Sequence, residues 1–425
     1  MDNAQLKKCF SDDTVFNLIN KMFITLQDSE IKRNNVYLEL VVKTLIERMK
    51  SMNSLFEKAY KEIIFCGSFY KGTKVGHPNE FDLNIILKLP IICDSINFSQ
   101  VEPAFIQILV KENSFASNYN NLSNKEQRLL RTFMYNGFLN PDKFRQWVEG
   151  IISKVISELP RVGDKHCLEV KNVSANFTTR IKVKKSGPAF TLMLNIPQEN
   201  DEIHIDLVPA LAFNIHLLNG YFKKLTELHG YQNKTCYAIP LPLKDINSDA
   251  THWRLSFCNQ EKELLSKYGR IKPIIRQMKK LRDMQNWKSI ASYFIETLFL
   301  NTLNKSEMDL DKIPSTLLFY MMLKELHQAC EQHKIPFFWD DRYNLLGKIQ
   351  HIEMFNISSR MNNIIKMIEK NIMTNKFILA EYILTKHEME LLIAKQSLIH
   401  MSLPAYSSSN KGDEPQENGS ICSIL

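Results

Sequence analysis

No C-x-x-C pair occurs in this 425-residue chain; its eight cysteines stand singly. That scatter argues against a disulfide scaffold and against a structural zinc site, and most of the cysteines are expected as reduced thiols of an intracellular protein. Also missing is any apolar run near the ~18 residues that a membrane-spanning helix needs. The opening MDNAQLKKCFSDD has no apolar centre of a secretory leader, so a cytoplasmic protein is expected. Charge of neither sign dominates: the formal net charge of +8 suits a nucleic-acid or anionic-membrane partner without demanding one. Internal repeats are absent, and residues 11–61 contain neither proline nor glycine.

That last absence permits a very long helix. Leu18, Met22 and Leu26, then Leu38, Val41, Val42, Leu45, Met49, Met52 and Phe56 recur at helical spacing, as one very long helix or two nearly continuous ones with a break near residues 27–29. Short strands are expected at residues 63–66, 82–89, 168–173, 180–184, 190–196 and 202–208, and a helical segment at 112–159. Beyond Trp253 the pattern turns to helical runs at 259–284, 287–303, 315–334, 342–374 and 377–400. The plan is a long N-terminal helix, a mixed α/β lobe and a helical lobe. At 425 residues, two lobes are the natural expectation.

The chemistry concentrates in GSFYKGTKVGHPNEFDLNIIL, residues 67–87. On a strand, Glu80 and Asp82 share one face while Phe81, Leu83 and Ile85 take the other. Two carboxylates this close repel, and a hard divalent cation, Mg²⁺ or Mn²⁺, would relieve them. In EIHIDLVPAL the same alternation puts His204 and Asp206 opposite Ile203, Ile205 and Leu207. An adjacent strand would bring Asp206 to the same site, and three carboxylates could hold two ions ~3.5–4 Å apart for in-line nucleotidyl transfer. Gly67-Ser68 closes a strand and opens a short helix, a turn whose N–H groups suit a phosphate. Lys71 and Lys74 follow with positive charge.

The run G-S-x(11)-E-x-D, with a single Asp on a later apolar strand, resembles the signature of cyclic GMP–AMP synthase and its animal relatives, the cyclic GMP–AMP synthase-like receptors. SGPAFTLML at 186–194, HWRLSF at 252–257 and SYFIETLFL at 292–300 carry the resemblance further, over roughly residues 60–345. It implies an α+β, bilobal nucleotidyltransferase fold. A long N-terminal spine helix and mixed β-sheet catalytic lobe would fill residues 1–250, and a helical C-terminal lobe residues 251–403. It also implies a site. Ser68 would bind the donor ATP triphosphate; Glu80, Asp82 and Asp206 would hold two Mg²⁺ or Mn²⁺ ions, with Asp206 assisting deprotonation of the attacking hydroxyl. Arg254 and Ser256 would join Asp206 at the acceptor GTP, Glu261 would lie near the nucleotides, and Tyr293 would stack on the donor base beside Ser292. Lys279 would contact phosphate, with Lys280 or Arg276 as substitutes.

Only Cys258 stands where the vertebrate enzyme carries its zinc insertion, so no zinc is expected. Zinc-free members are typical of the insect-type receptors, which implies double-stranded RNA as activator and a cyclic dinucleotide product for a STING-type receptor in innate immunity. Val208 stands where the vertebrate enzyme has a base-touching threonine, leaving linkage and acceptor choice open. A linear oligonucleotide synthase and an inactive nucleotide-binding scaffold remain alternatives. For a duplex, which is read through phosphates and 2′-hydroxyls, the candidate basic surface is Lys32, Arg33, Lys43, Arg48 and Lys50 on the spine. Two further clusters are Arg180, Lys182 and Lys184 on a strand, and Lys267, Arg270, Lys272, Arg276, Lys279, Lys280 and Arg282 on the first helix of the second lobe. Residues 404–425 read as a disordered tail ending Cys422-Ser-Ile-Leu, a C-a-a-X form that implies prenylation of Cys422 and membrane association.

Overall fold

The computed structural model describes residues 3–91, 96–100, 102–111, 122–172, 175–186, 189–195, 202–218, 220–222, 224, 234–241, 251–305 and 310–401. Cys422 and the tail at 404–425 lie outside these residues, as does the first part of the helical segment expected at 112–159.

The spine is α1, Asp28–Met52, entered from an extended Gln27 close to the expected break. Leu38, Val41, Val42, Leu45 and Met49 are all buried, so the helical period marks the face that packs. Asn53 ends the helix and caps a separate short turn, its side chain accepting from the Phe56 amide at 2.9 Å. The chain then enters β1, Tyr60–Cys66, followed by α2, Gly67–Lys71, and β2, Glu80–Leu87. Further along come β3, Phe105–Val110; α3, Pro141–Ser157; β4, Lys165–Asn172; β5, Ala175–Ser186; β6, Ala189–Asn195; and β7, Glu202–Asn214. Two strands without an alternating signature join the same sheet: β8, Thr235–Ile239, and β9, His252–Ser256.

One antiparallel path runs β3-β9-β8-β7-β6-β5-β4, and β2 departs from it by pairing parallel to β7 with β1 antiparallel beyond. HWRLSF therefore lies mostly on a sheet strand rather than at a helix start. The helical lobe follows as α4, Cys258–Ser266; α5, Ile271–Met284; α6, Ser292–Lys305; α7, Ser315–Glu331; α8, His351–Asn371; and α9, Lys386–Met401.

Several expected helices are broken, each for a local reason. Residues 112–159 contain a tight hairpin because Asn136 and Gly137 both take positive φ, the Asn-Gly turn signature. Residues 259–284 divide between α4 and α5 around Gly269, with Pro273 in the first turn of the second helix, where its missing N–H is harmless. The run expected from 342 becomes helical only at His351, because the Asn344 side chain ties down the preceding loop through the Ile335 and Leu346 amides and the His333 carbonyl. In the run from 377, Thr385 and Glu388 exchange side-chain and backbone hydrogen bonds and restart the helix as α9.

Candidate active site

The parallel pairing of β2 with β7 decides where the acids meet. Asp206 is the direct register partner of Asp82, and His204 that of Glu80, on strands ~4.8 Å apart. Phe81, Leu83, Ile203, Ile205 and Leu207 are buried on the opposite face, so the alternation forces all three carboxylates to one side. On the other flank of β2, Cys66 pairs with Asp82 and the chain turns at Gly67. Gly67 takes φ +72°, and a Cβ there would stand 1.7 Å from Asp82 Oδ2. Only glycine lets the Ser68 turn approach the carboxylate this closely.

Each acid has a different neighbour. Lys74 Nζ donates to Glu80 Oε2 at 2.5 Å, and this bond holds the Glu80 carboxyl below its usual range. Thr191 Oγ1 donates to Asp206 Oδ1 at 2.5 Å. Asp82 is pushed up instead, first by enclosure in protein and then by the negative charge of Asp206. Among the described residues no three His, Cys, Asp or Glu side chains converge in a metal-holding geometry. Lys74 and Thr191 draw Glu80 and Asp206 to their own partners. The donor set nevertheless suits a hard divalent cation: the three groups are all carboxylates, and the Asp206 charge that adds to the burial of Asp82 is what such an ion would neutralise.

Behind the turn lies a second charged group that is fully packed. Lys71 Nζ donates to Glu261 Oε2 at 2.7 Å and Glu296 Oε2 at 3.1 Å. Lys279 Nζ donates to Glu296 Oε1 at 2.6 Å and to the carbonyl and hydroxyl oxygens of Thr73, both at 3.1 Å. The Thr73 hydroxyl also reaches Glu296 Oε1 at 2.7 Å. The Tyr293 hydroxyl and the Trp339 indole donate to Glu261 Oε1 at 2.7 and 3.1 Å. Burial drives Lys71 toward neutrality, but Glu261 and Glu296 outweigh it and hold the ammonium well above its ordinary range. Burial likewise opposes the Glu296 charge, yet the two lysines bring its carboxyl down to about 2.

This network takes up several residues of the expected nucleotide site. Lys279 is 2 % exposed and its three donors are taken, so it is a tie between α5, Glu296 and the Thr73 loop rather than a free phosphate contact. Of the substitutes, Lys280 pairs with Glu388 at 2.7 Å and Arg276 is largely buried, which lowers its guanidinium pKa. Glu261 is buried among its three donors, and the Ser292 hydroxyl accepts from Arg282 at 2.7 Å. Tyr293 is half-buried, its ring 5.4 Å below the Lys71 ammonium. Arg254, from β9, lies 4.6 Å from the centroids of both Phe337 and Tyr343 and 5.3 Å from that of Phe105. Ser68 and Ser256 are half-buried at the ends of their elements.

The sequence shows Lys71 and Lys74 only as added positive charge; the fold sends Lys71 to Glu261 and Glu296 and Lys74 to Glu80. Thr73, Glu296 and Trp339 gave no signal beyond ordinary helix or loop composition. On the spine, Lys32, Arg33, Lys43 and Arg48 are exposed, while Lys50 bonds Glu47 at 2.8 Å and covers the Tyr60 ring. Arg180 and Lys184 are exposed on β5, and Lys182 pairs with Asp164 at 3.0 Å. In the third cluster Lys267 and Arg270 are exposed, Arg270 also donating to the Ile313 carbonyl at 3.1 Å, while Lys272, Arg276, Lys280 and Arg282 are half-buried and Lys279 is buried.

The Mab-21 protein nucleotidyltransferase domain matches residues 69–267, and the Mab-21 protein HhH/H2TH-like domain matches residues 270–369. A cyclic GMP-AMP synthase-like receptor of Microplitis demolitor is 37% identical over 391 residues, 92% of this chain and 71% of that protein. The receptor of Trichogramma pretiosum is 35% identical, covering 92% and 80% of the two chains. That of Tribolium castaneum is 30% identical, covering 93% and 98%. The chain belongs to the cyclic GMP–AMP synthase-like receptor family. It is an α+β nucleotidyltransferase, and enzymes of this type generally use divalent metal ions. Among the described residues no helix is long and apolar enough to cross a membrane.

Proposed function

We propose that this nucleotidyltransferase joins ATP and GTP into a cyclic dinucleotide of the cyclic GMP–AMP type. The observation that carries the reading is the register of Asp82 with Asp206 beside the Gly67 turn. Glu80, Asp82 and Asp206 would hold Mg²⁺ or Mn²⁺, which would supply a lowered pKa at the attacking hydroxyl and positive charge opposite the phosphates. The Gly67-Ser68 turn presents N–H groups to the donor triphosphate. Asp206 takes the proton of the acceptor hydroxyl, with Thr191 orienting its carboxylate. Arg254 and Ser256 bound the acceptor base, and Tyr293 the donor base. A linear intermediate turns over and re-enters the same site for the second bond.

In this reading duplex RNA is the activator, held on the exposed Lys32, Arg33, Lys43 and Arg48 surface with Lys50. The product signals to a STING-type receptor in antiviral immunity, and prenylation of Cys422 tethers the enzyme to membranes. The test incubates purified protein with Mg²⁺ or Mn²⁺, labelled ATP and GTP, and duplex RNA, duplex DNA or neither. A phosphatase-resistant product that requires duplex RNA supports the reading. A linear product makes the chain an oligonucleotide synthase, and bound nucleotide without product makes it a scaffold.

A further inference from the structure

The sequence scatters its cysteines, yet folding brings two of them into contact. Cys66 Sγ and Cys258 Sγ lie 3.1 Å apart across a sequence separation of 192 residues. Both are half-buried, whereas Cys236 and Cys330 are buried. Cys66 is the last residue of β1, immediately before the Gly67 turn and opposite Asp82. Cys258 opens α4, two residues after Ser256 ends β9, and packs against the small cluster of Ile86, Ala210 and Tyr237. The two thiols thus join the loop that approaches the acids to the strand-to-helix junction that carries Arg254 and Ser256.

We propose that Cys66 and Cys258 form an oxidisable dithiol, a modification site for hydroperoxides whose disulfide restrains the Gly67 turn. Cys258 occupies the first turn of α4, where the helix N-terminus favours a thiolate. Its sulfur attacks the terminal oxygen of the peroxide. An S–O bond forms, the O–O bond breaks, and the alcohol or water leaves after taking a proton. Cys66 then attacks the Cys258 sulfenic acid; the S–S bond forms, the S–O bond breaks, and the hydroxyl departs as water with the Cys66 proton. Two electrons pass from the sulfurs to the peroxide, and a thiol reductant reverses the step.

Closing the bond brings the sulfurs from 3.1 Å to ~2.05 Å, a movement of about 1 Å shared between the residue next to Gly67 and the start of α4. Gly67 already lies against Asp82 with no room for a Cβ. A displacement of ~1 Å in a positioning element is enough to lower a rate up to ~100-fold. This consequence, unlike the thiol chemistry, rests on the proposed nucleotidyl transfer.

The experiment treats the full chain with hydrogen peroxide, alkylates remaining thiols, and maps peptides without reductant. A peptide joining residues 66 and 258, formed before the other cysteines react, supports the site. Recovery of both as alkylated thiols, or as sulfinic acids without a cross-link, overturns it. On the same samples, transfer from ATP and GTP should fall ~10-fold or more, recover with dithiothreitol, and persist after peroxide in a Cys258→Ser protein. A cross-link with an unchanged rate overturns the restraint. If the reduced protein shows no transfer, the activity reading fails while the peptide map still decides the thiol pair.

Discussion

Two groups of charged side chains flank the Gly67 turn, and they treat charge in opposite ways. Behind it, two lysines face two glutamates, and the remaining acceptor sites are filled by Thr73, Tyr293 and Trp339. In front of it, three carboxylates share one sheet face with a single lysine bond and a single threonine bond. A buried group must balance its charge or lose stability; a solvent-reached group can hold an excess, at the expense of self-repulsion. The balanced network serves the fold by tying the Thr73 loop to α4 and α6. In the proposed reading, the unbalanced one is kept for a partner the chain itself does not supply.

The largest expected effect separates these roles. Asp82→Asn should lower nucleotidyl transfer ~10³-fold or more, about 4 kcal/mol of barrier, without lowering the melting temperature. The sign follows from the raised Asp82 pKa. Its protonated form is favoured in the folded state, so stability is greatest below the ordinary carboxylate value of 3.8 and is lost as pH rises through the higher folded value. At neutral pH the asparagine variant escapes that penalty. A destabilised, inactive Asp82→Asn protein would make the cleft structural after all.

Glu296→Gln should do the reverse, destabilising the protein by ~3 kcal/mol by leaving two buried ammonium groups short of their partner. Chemical denaturation measures it. Here the folded pKa is depressed, so the contribution of Glu296 is complete above its ordinary value of 4.5 and disappears as pH falls toward about 2. The wild type should therefore lose stability through that acid window, and the variant should lose less. Next in size is Gly67→Ala, at ~1–2 kcal/mol for the positive φ alone. Displacement of Asp82 adds to it and should appear as weaker Mn²⁺ binding.

How much of this was legible depended on distance along the chain and on which face a residue took. The acids were readable because strand alternation is local: Phe81 and Leu83 fix the direction of Glu80 and Asp82, and Ile205 and Leu207 that of Asp206. The spine was readable because Leu38 through Met49 keep one helical period. The buried network was not. Glu296 sits in SYFIETLFL as an unremarkable helical glutamate, and its meaning comes from Lys71, over two hundred residues earlier. The inward direction of Lys279 was hidden for the same reason: a run of basic residues on α5 says nothing about which of them faces inward. The Asn136-Gly137 hairpin and the Thr385–Glu388 cap had local signatures that helical periodicity masked.

The smallest effect sharpens the comparison most, because it tests two lysines three residues apart, Lys71 at the end of α2 and Lys74 in the loop that follows. Lys74 touches Glu80, whose side chain is 66 % exposed, so solvent screens the pair and little stability depends on it. Glu80 titrates below its ordinary value because of the Lys74 bond, so its small contribution is present at neutral pH and lost as pH falls through the depressed folded value. Lys74→Met should remove that acid sensitivity and change stability by only a few tenths of a kcal/mol. It also frees the Glu80 carboxylate and leaves the cleft more negative, so Mn²⁺ should bind a few-fold tighter, read as a larger rise in melting temperature on adding the ion. Lys71→Met, by contrast, strips Glu261 and Glu296 of a shared buried partner and should unfold the protein at markedly lower denaturant. If the two methionine variants behaved alike, the division between a closed, balanced group and an open, unbalanced one would not hold.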